Sequence, residues 1–153
     1  MTYLSKASLP RFAIAACLLF GSAVAWAAND TPVGTWQQVD DETGKVKSII
    51  QITSNNDELQ AKVLQVLISE DGPHPVCKKC DGDKKDQPIE GMTIMWGVHA
   101  DGDVWDGGKI LDPKSGTVYK VKLSMADHGQ KLDVRGYVGF SLIGRSQTWI
   151  RQQ

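Results

Sequence analysis

The chain has 153 residues, of which 41% are hydrophobic and 23% charged, with a formal net charge of −1. That balance carries no basic surplus, which argues against an electrostatic footprint for nucleic acid. The length suits one domain with a real core.

The first element is a targeting pattern. Met1 to Arg11 carries Lys6 and Arg11 and no acid, and Phe12 to Trp26 is an apolar run ending at Ala25-Trp26-Ala27. A charged head, an apolar core and an A-x-A exit predict a secretory signal peptide over residues 1–27. The run is short of the roughly 20 residues a spanning helix needs. Ile14-Ala15-Ala16-Cys17 resembles a lipoprotein box, but lipidation at Cys17 would leave too short a core before the cut and an apolar stretch after it. Cleavage after Ala27 removes two cations and no acid, taking the charge to −3. The expected product is a single domain over 28–153, in the periplasm or secreted, with no stable membrane anchor.

From Thr35 onward, short β-rich runs alternate with turn clusters. In order they are TWQQVD, VKSIIQIT, LQAKVLQVLI, MTIMWGV, VWDGGKILD, TVYKVKLSM, KLDVRGYVG and RSQTWIRQ. Runs rich in Val, Ile, Thr, Trp and Tyr, separated by Gly, Asn, Asp and Pro, predict eight strands in up-and-down order. Tyr119, Val121, Leu123 and Met125 share one face of the sixth run, and Lys120, Lys122 and Ser124 the other. In the seventh, Leu132, Val134 and Val138 oppose Lys131, Asp133, Arg135 and Tyr137. The third run slips phase, from Leu59, Ala61 and Val63 to Leu64, Val66 and Ile68, which predicts a bulge near Val63. The fold class is therefore all-β, and closure into a small antiparallel barrel removes exposed edges. A two-sheet sandwich is the alternative.

The chemically loudest stretch lies between the third and fourth runs: His74-Pro-Val-Cys77-Lys-Lys-Cys80. In an exported protein, Cys77 and Cys80 predict a disulfide that shapes a loop. The alternatives are a metal site using His74, Cys77 and Cys80, which lacks a fourth ligand, and a redox dithiol, which lacks the helix start that would activate it. Asp101-Gly-Asp103…Asp106 and Asp81-Gly-Asp83…Asp86 each resemble a calcium loop but carry Asp where that loop requires Gly. No G-x-S-x-G, phosphate-cradling glycine loop or H-E-x-x-H occurs, and His74, His99 and His128 sit near loops or turns. The expectation is a non-catalytic protein with no cofactor and no resident metal.

Gly34-Thr35-Trp36 on the first strand resembles the G-x-W of lipocalin-like (calycin) barrels. There the tryptophan closes one end and a last-strand arginine packs over its ring. The resemblance implies closure by Gly34, Trp36 and Arg145, with Arg151 the second choice. A longer resemblance runs through GTWQQVDDETGKVKSIIQI, CKKCDGDKKDQPIEGM, WDGGKILDPKSGTVYKVKL and LDVRGYVGFSLIGRSQTWIR. These blocks are similar to the bacterial exported family known as domain of unknown function 2147. That likeness implies a small lipocalin-like barrel and no activity.

Three functional expectations follow. The first is binding of a small apolar or amphipathic ligand by interior or mouth aromatics: Trp36, Trp96, Trp105, Tyr119, Tyr137 and Phe140. The second is an envelope interaction module that uses the barrel as scaffold. The third is a thiol or metal protein centred on the C-x-x-C pair. Segment 139–144, GFSLIG, is a candidate lip at the entrance or a partner contact.

Overall fold

The computed structural model describes residues 31–140 and 143–153. The predicted signal peptide, with Cys17, and Ser141 and Leu142 of the candidate lip lie outside the described residues. The eight predicted strands are all present: β1 (Gly34–Val39), β2 (Val46–Asn55), β3 (Glu58–Val66), β4 (Thr93–Asp101), β5 (Val104–Asp112), β6 (Thr117–Ala126), β7 (Lys131–Tyr137) and β8 (Gly144–Arg151). Each pairs antiparallel with its neighbours, and β1 pairs with β8, so the sheet is a closed barrel rather than a sandwich.

Alternation along each strand sends every second side chain into the lumen. On β6, Val121 and Leu123 are buried while Val118 and Lys120 are exposed. On β3 the pairing runs Ile50 to Val63 and then Ile49 to Gln65, so Leu64 is the extra residue of a bulge. The bulge turns Leu64 outward and restores Val66 to the inner face, which accounts for the phase slip. Gly108 on β5 marks a close approach to β4. A side chain there would collide with the Trp96 carbonyl and the Val98 side chain.

The connections divide between two ends. One end carries the β2–β3, β4–β5 and β6–β7 turns and the segment 31–33. The other carries the β1–β2, β5–β6 and β7–β8 connections and the long β3–β4 loop, residues 67–92. Near the first end the lumen is filled with apolar side chains. Trp36, Ile50, Val98, Leu123 and Leu132 are fully buried, and Ile52 and Trp149 are 1% exposed. Burying each such side chain contributes about 1.5–3 kcal/mol.

The 67–92 loop is built around the Cys77–Cys80 disulfide. Cys77 N–H donates to Gln87 O at 2.8 Å, and Asp86 N–H donates to Cys77 O at 3.0 Å. The loop folds down over the outer wall: Lys84 Nζ lies 5.5 Å from the Trp96 ring centroid, and Cys77 Sγ lies 3.3 Å from the Pro113 carbonyl oxygen. Ile94 and Leu111 sit between lumen-facing neighbours and so point outward, yet both are buried with the two cysteines. The loop thus gives the barrel a second, external apolar layer.

Candidate functional site

The closed end is built first by Trp36. Its indole Nε1–H donates to Pro32 O at 2.7 Å, tying the segment 31–33 across the barrel base. The guanidinium over its ring belongs to Arg151, 4.3 Å from the centroid. Arg151 Nε donates to Gly129 O at 2.7 Å, Nη1 to Val33 O at 3.1 Å and Nη2 to Thr31 O at 2.8 Å. Burial lowers the pKa of this guanidinium. Three carbonyl acceptors and an indole face offset that desolvation.

The expected role of Arg145 is therefore corrected. Arg145 lies at the opposite end of β8, is largely exposed, and pairs with Asp41 of the β1–β2 connection at 3.1 Å. The reason is register: Arg151 is the partner of Trp36 across the β1–β8 seam, whereas Arg145 is opposite Gly136 on β7. Gly34 does belong to the closure, since any side chain there would run into the Arg151 guanidinium.

Toward the other end, the mouth, the lumen changes character. Gln38, two residues after Trp36, and Gln147, two before Trp149, face inward with Ser48. Gln38 Nε2 donates to Gln147 Oε1 at 3.0 Å, and Ser48 Oγ donates to Gln38 Oε1 at 2.7 Å. Gln38 and Gln147 are only half-buried. Tyr119 is inward and half-buried, and Gly136 beside it leaves space that a Cβ would fill against Tyr119 and Ile110. Below this layer, Trp149 Nε1 is buried with no hydrogen-bond partner among the described residues. At the mouth, Val138 is 60%, Phe140 81% and Ile143 70% exposed.

The six aromatics expected to form one ligand site are not brought together. Trp36 is sealed in the closure. Trp96 is on the outer wall beneath Lys84, because the strand alternation that points Met95 inward points its neighbour outward. Tyr137 is also outward, where its hydroxyl donates to Asp106 Oδ1 at 3.1 Å; burial and that carboxylate raise its pKa. Trp105 is at the closed end. Only Tyr119 and Phe140 stand at the mouth. Two open clefts are present among the described residues, the first on the outer wall and the second at the closed end, where inward-facing Leu59 and Trp105 reach it. One, of about 620 Å³, includes Thr35, Ile49, Leu64 and Gln65. The other, of about 340 Å³, includes Leu59, His99 and Trp105.

The disulfide takes both thiolates from the alternative metal set, leaving His74 exposed beside it. Cys77 and Cys80 are 0% and 1% exposed, which also shields the disulfide from exchange with thiols in solution. Among the described residues, no group of three or more His, Cys, Asp or Glu is placed to hold a metal ion.

Sequence reasoning passed over Gln38, Ser48 and Gln147. Their signal was available in the alternation, since both glutamines stand two residues from a buried tryptophan on the same face.

A family model matches residues 34–151, from the first strand to the last. The chain belongs to DUF2147. The family is described as uncharacterized protein conserved in bacteria, and the match covers every strand of the barrel. Among solved structures, the chain is similar to HP1028 from the human pathogen Helicobacter pylori, a protein described as belonging to the lipocalin family. The TM-score is 0.67 at 16% identity, over 79% of this chain and 82% of that one. At that identity the likeness concerns the fold. No curated protein matches the chain.

Proposed function

We propose that this DUF2147 protein is exported and holds a small amphipathic ligand at the mouth of its barrel. The observation that carries the reading is the change in chemistry along the lumen. The closed half is packed with apolar side chains, while the mouth half offers half-buried Gln38, Tyr119 and Gln147 beneath exposed Val138, Phe140 and Ile143. Polar groups at a floor and apolar groups at a rim suit a ligand with one polar and one greasy end. The Trp149 indole supports the reading, because a buried donor without an acceptor costs about 1–3 kcal/mol. An oxygen entering the lumen would relieve that cost.

Native mass spectrometry of protein exported by its own leader tests this. The expected result is a retained small molecule that is lost in Phe140→Ser. A ligand-free mass, together with no saturable binding of a lauric acid probe, overturns the reading.

A second reading has its own support. The exposure of Phe140 and Ile143 also suits docking of an envelope protein on the mouth loops. A photocrosslinker at position 140 that recovers one defined protein from intact cells would favour it. The same readout without a protein adduct favours the ligand.

A further inference from the structure

We infer that the closed end carries a second binding site, for a small organic ammonium ion, in the cleft walled by Trp105 and Asp57. The cleft measures about 340 Å³ and is lined by Val33, Asp57, Leu59, His99, Ala100 and Trp105 among others. That volume lies at the low end of the range of small-molecule sites, and the lining divides evenly between apolar residues and polar ones, Thr31 and Ser54 among the latter.

The chemistry selects a cation. Trp105 is half-buried and lines the cleft, and an indole face attracts an ammonium group more strongly than other aromatic faces do. Asp57 sits in the β2–β3 turn with φ at +63° and is the acidic residue of the lining. His99 Nδ1 lies 3.3 Å from the Asp57 carbonyl oxygen, and an N–H donated there leaves Nε2 as an acceptor.

The wider field has the same sign. The turns and strand ends here carry Asp57, Asp101, Asp103 and Asp127. Against these four acids stand, among the described residues, two cations, Lys131, which pairs with Asp127 at 3.1 Å, and Arg151, which keeps its charge while donating to the carbonyls of Thr31, Val33 and Gly129, so the acids remain in excess. A neutral ligand gains nothing from this field, and an anion is repelled by it.

Choline and its uncharged isostere 3,3-dimethylbutanol test the proposal on the whole exported chain at fixed ionic strength. The readout is the ¹H–¹⁵N indole resonance of Trp105, assigned by its disappearance in Trp105→Phe. Choline is expected to shift that resonance saturably, and 3,3-dimethylbutanol to bind at least tenfold more weakly. Asp57→Asn, which keeps a residue tolerant of the left-handed turn, is expected to weaken choline roughly two- to fivefold. Phe140→Ser at the far end leaves choline binding unchanged, so this site and the mouth site stand or fall separately. Equal response to both probes, no saturable shift, or an unaltered Asp57→Asn affinity overturns the proposal.

Discussion

Arg151 stacks on Trp36 with 4.3 Å between the guanidinium carbon and the indole centroid, joining the last strand to the first. Arg145, six residues earlier on the same face of β8, instead meets Asp41 in solvent. The two arginines therefore make opposite demands on stability. Arg151→Ala strips three carbonyls of their donor and uncovers the indole, and should destabilise the fold by about 2–4 kcal/mol. Arg151→Lys should recover only part of that, because an ammonium lacks the planar fork. Arg145→Ala should stay within about 0.5 kcal/mol. Urea denaturation of the three variants checks the ordering.

The β1–β2 turn gives stability an acid limb. Asp40 pairs with Lys47 at 2.8 Å and accepts from the backbone and hydroxyl of Thr43. These hydrogen bonds, that from Lys47 first, hold its carboxyl well below the usual carboxylate range. A depressed acid contributes stability that is fully present above its unfolded pKa and is lost as pH falls through its folded one. Lys47 is raised, chiefly by the same bond, so its share persists below the ordinary lysine pKa and disappears as pH climbs through the folded value. Thermal midpoints measured from pH 2 to 7 should fall at the acid end, and Asp40→Asn should flatten that fall.

The buried disulfide should resist reductant in the native protein and become labelled only on unfolding, because Cys77 and Cys80 are closed to solvent. Loop-closure entropy for so short a ring amounts to about 2 kcal/mol. Replacing both cysteines by alanine should therefore lower stability modestly while leaving the barrel intact. Hydrogen exchange should rise across residues 67–92 and stay unchanged in β1, β2 and β8.

Gly116 offers an independent route to the same loop. It has φ at +73°, and a Cβ there would meet the backbone of Lys79 and Cys80. Gly116→Ala should push the β5–β6 turn off the disulfide segment, destabilising by about 1–3 kcal/mol. The extra exchange should appear in the same residues as in the double-cysteine variant, and combining the changes should give less than their sum.

Much of this architecture was legible beforehand. Turn residues separate every strand, and the phase slip at Leu64 announced a bulge because burial is strictly periodic along a strand. The closing arginine was not legible, since both Arg145 and Arg151 lie on the inward face and only the β1–β8 register chooses between them. Nor was the scatter of the aromatics. Trp96 follows an inward methionine, but its outward position is useful only because a loop brings Lys84 over it, and no local pattern predicts that long-range contact. The same loop explains why Ile94 and Leu111 are apolar on a face that alternation assigns to solvent.

The seam between β1 and β8 is paired at only three positions, a number shared among the eight strand pairs by β3 with β4 alone. Its arginine reaches a carbonyl 118 positions away in sequence. Ring closure is thus the longest-range step of folding, and it confines the most chain for few backbone bonds. The hairpins can assemble first, with the barrel remaining an open, curled sheet until Trp36 and Arg151 meet. Substitutions at this clasp should then accelerate unfolding far more than they slow folding, giving the molecule a lifetime set by one stacked pair.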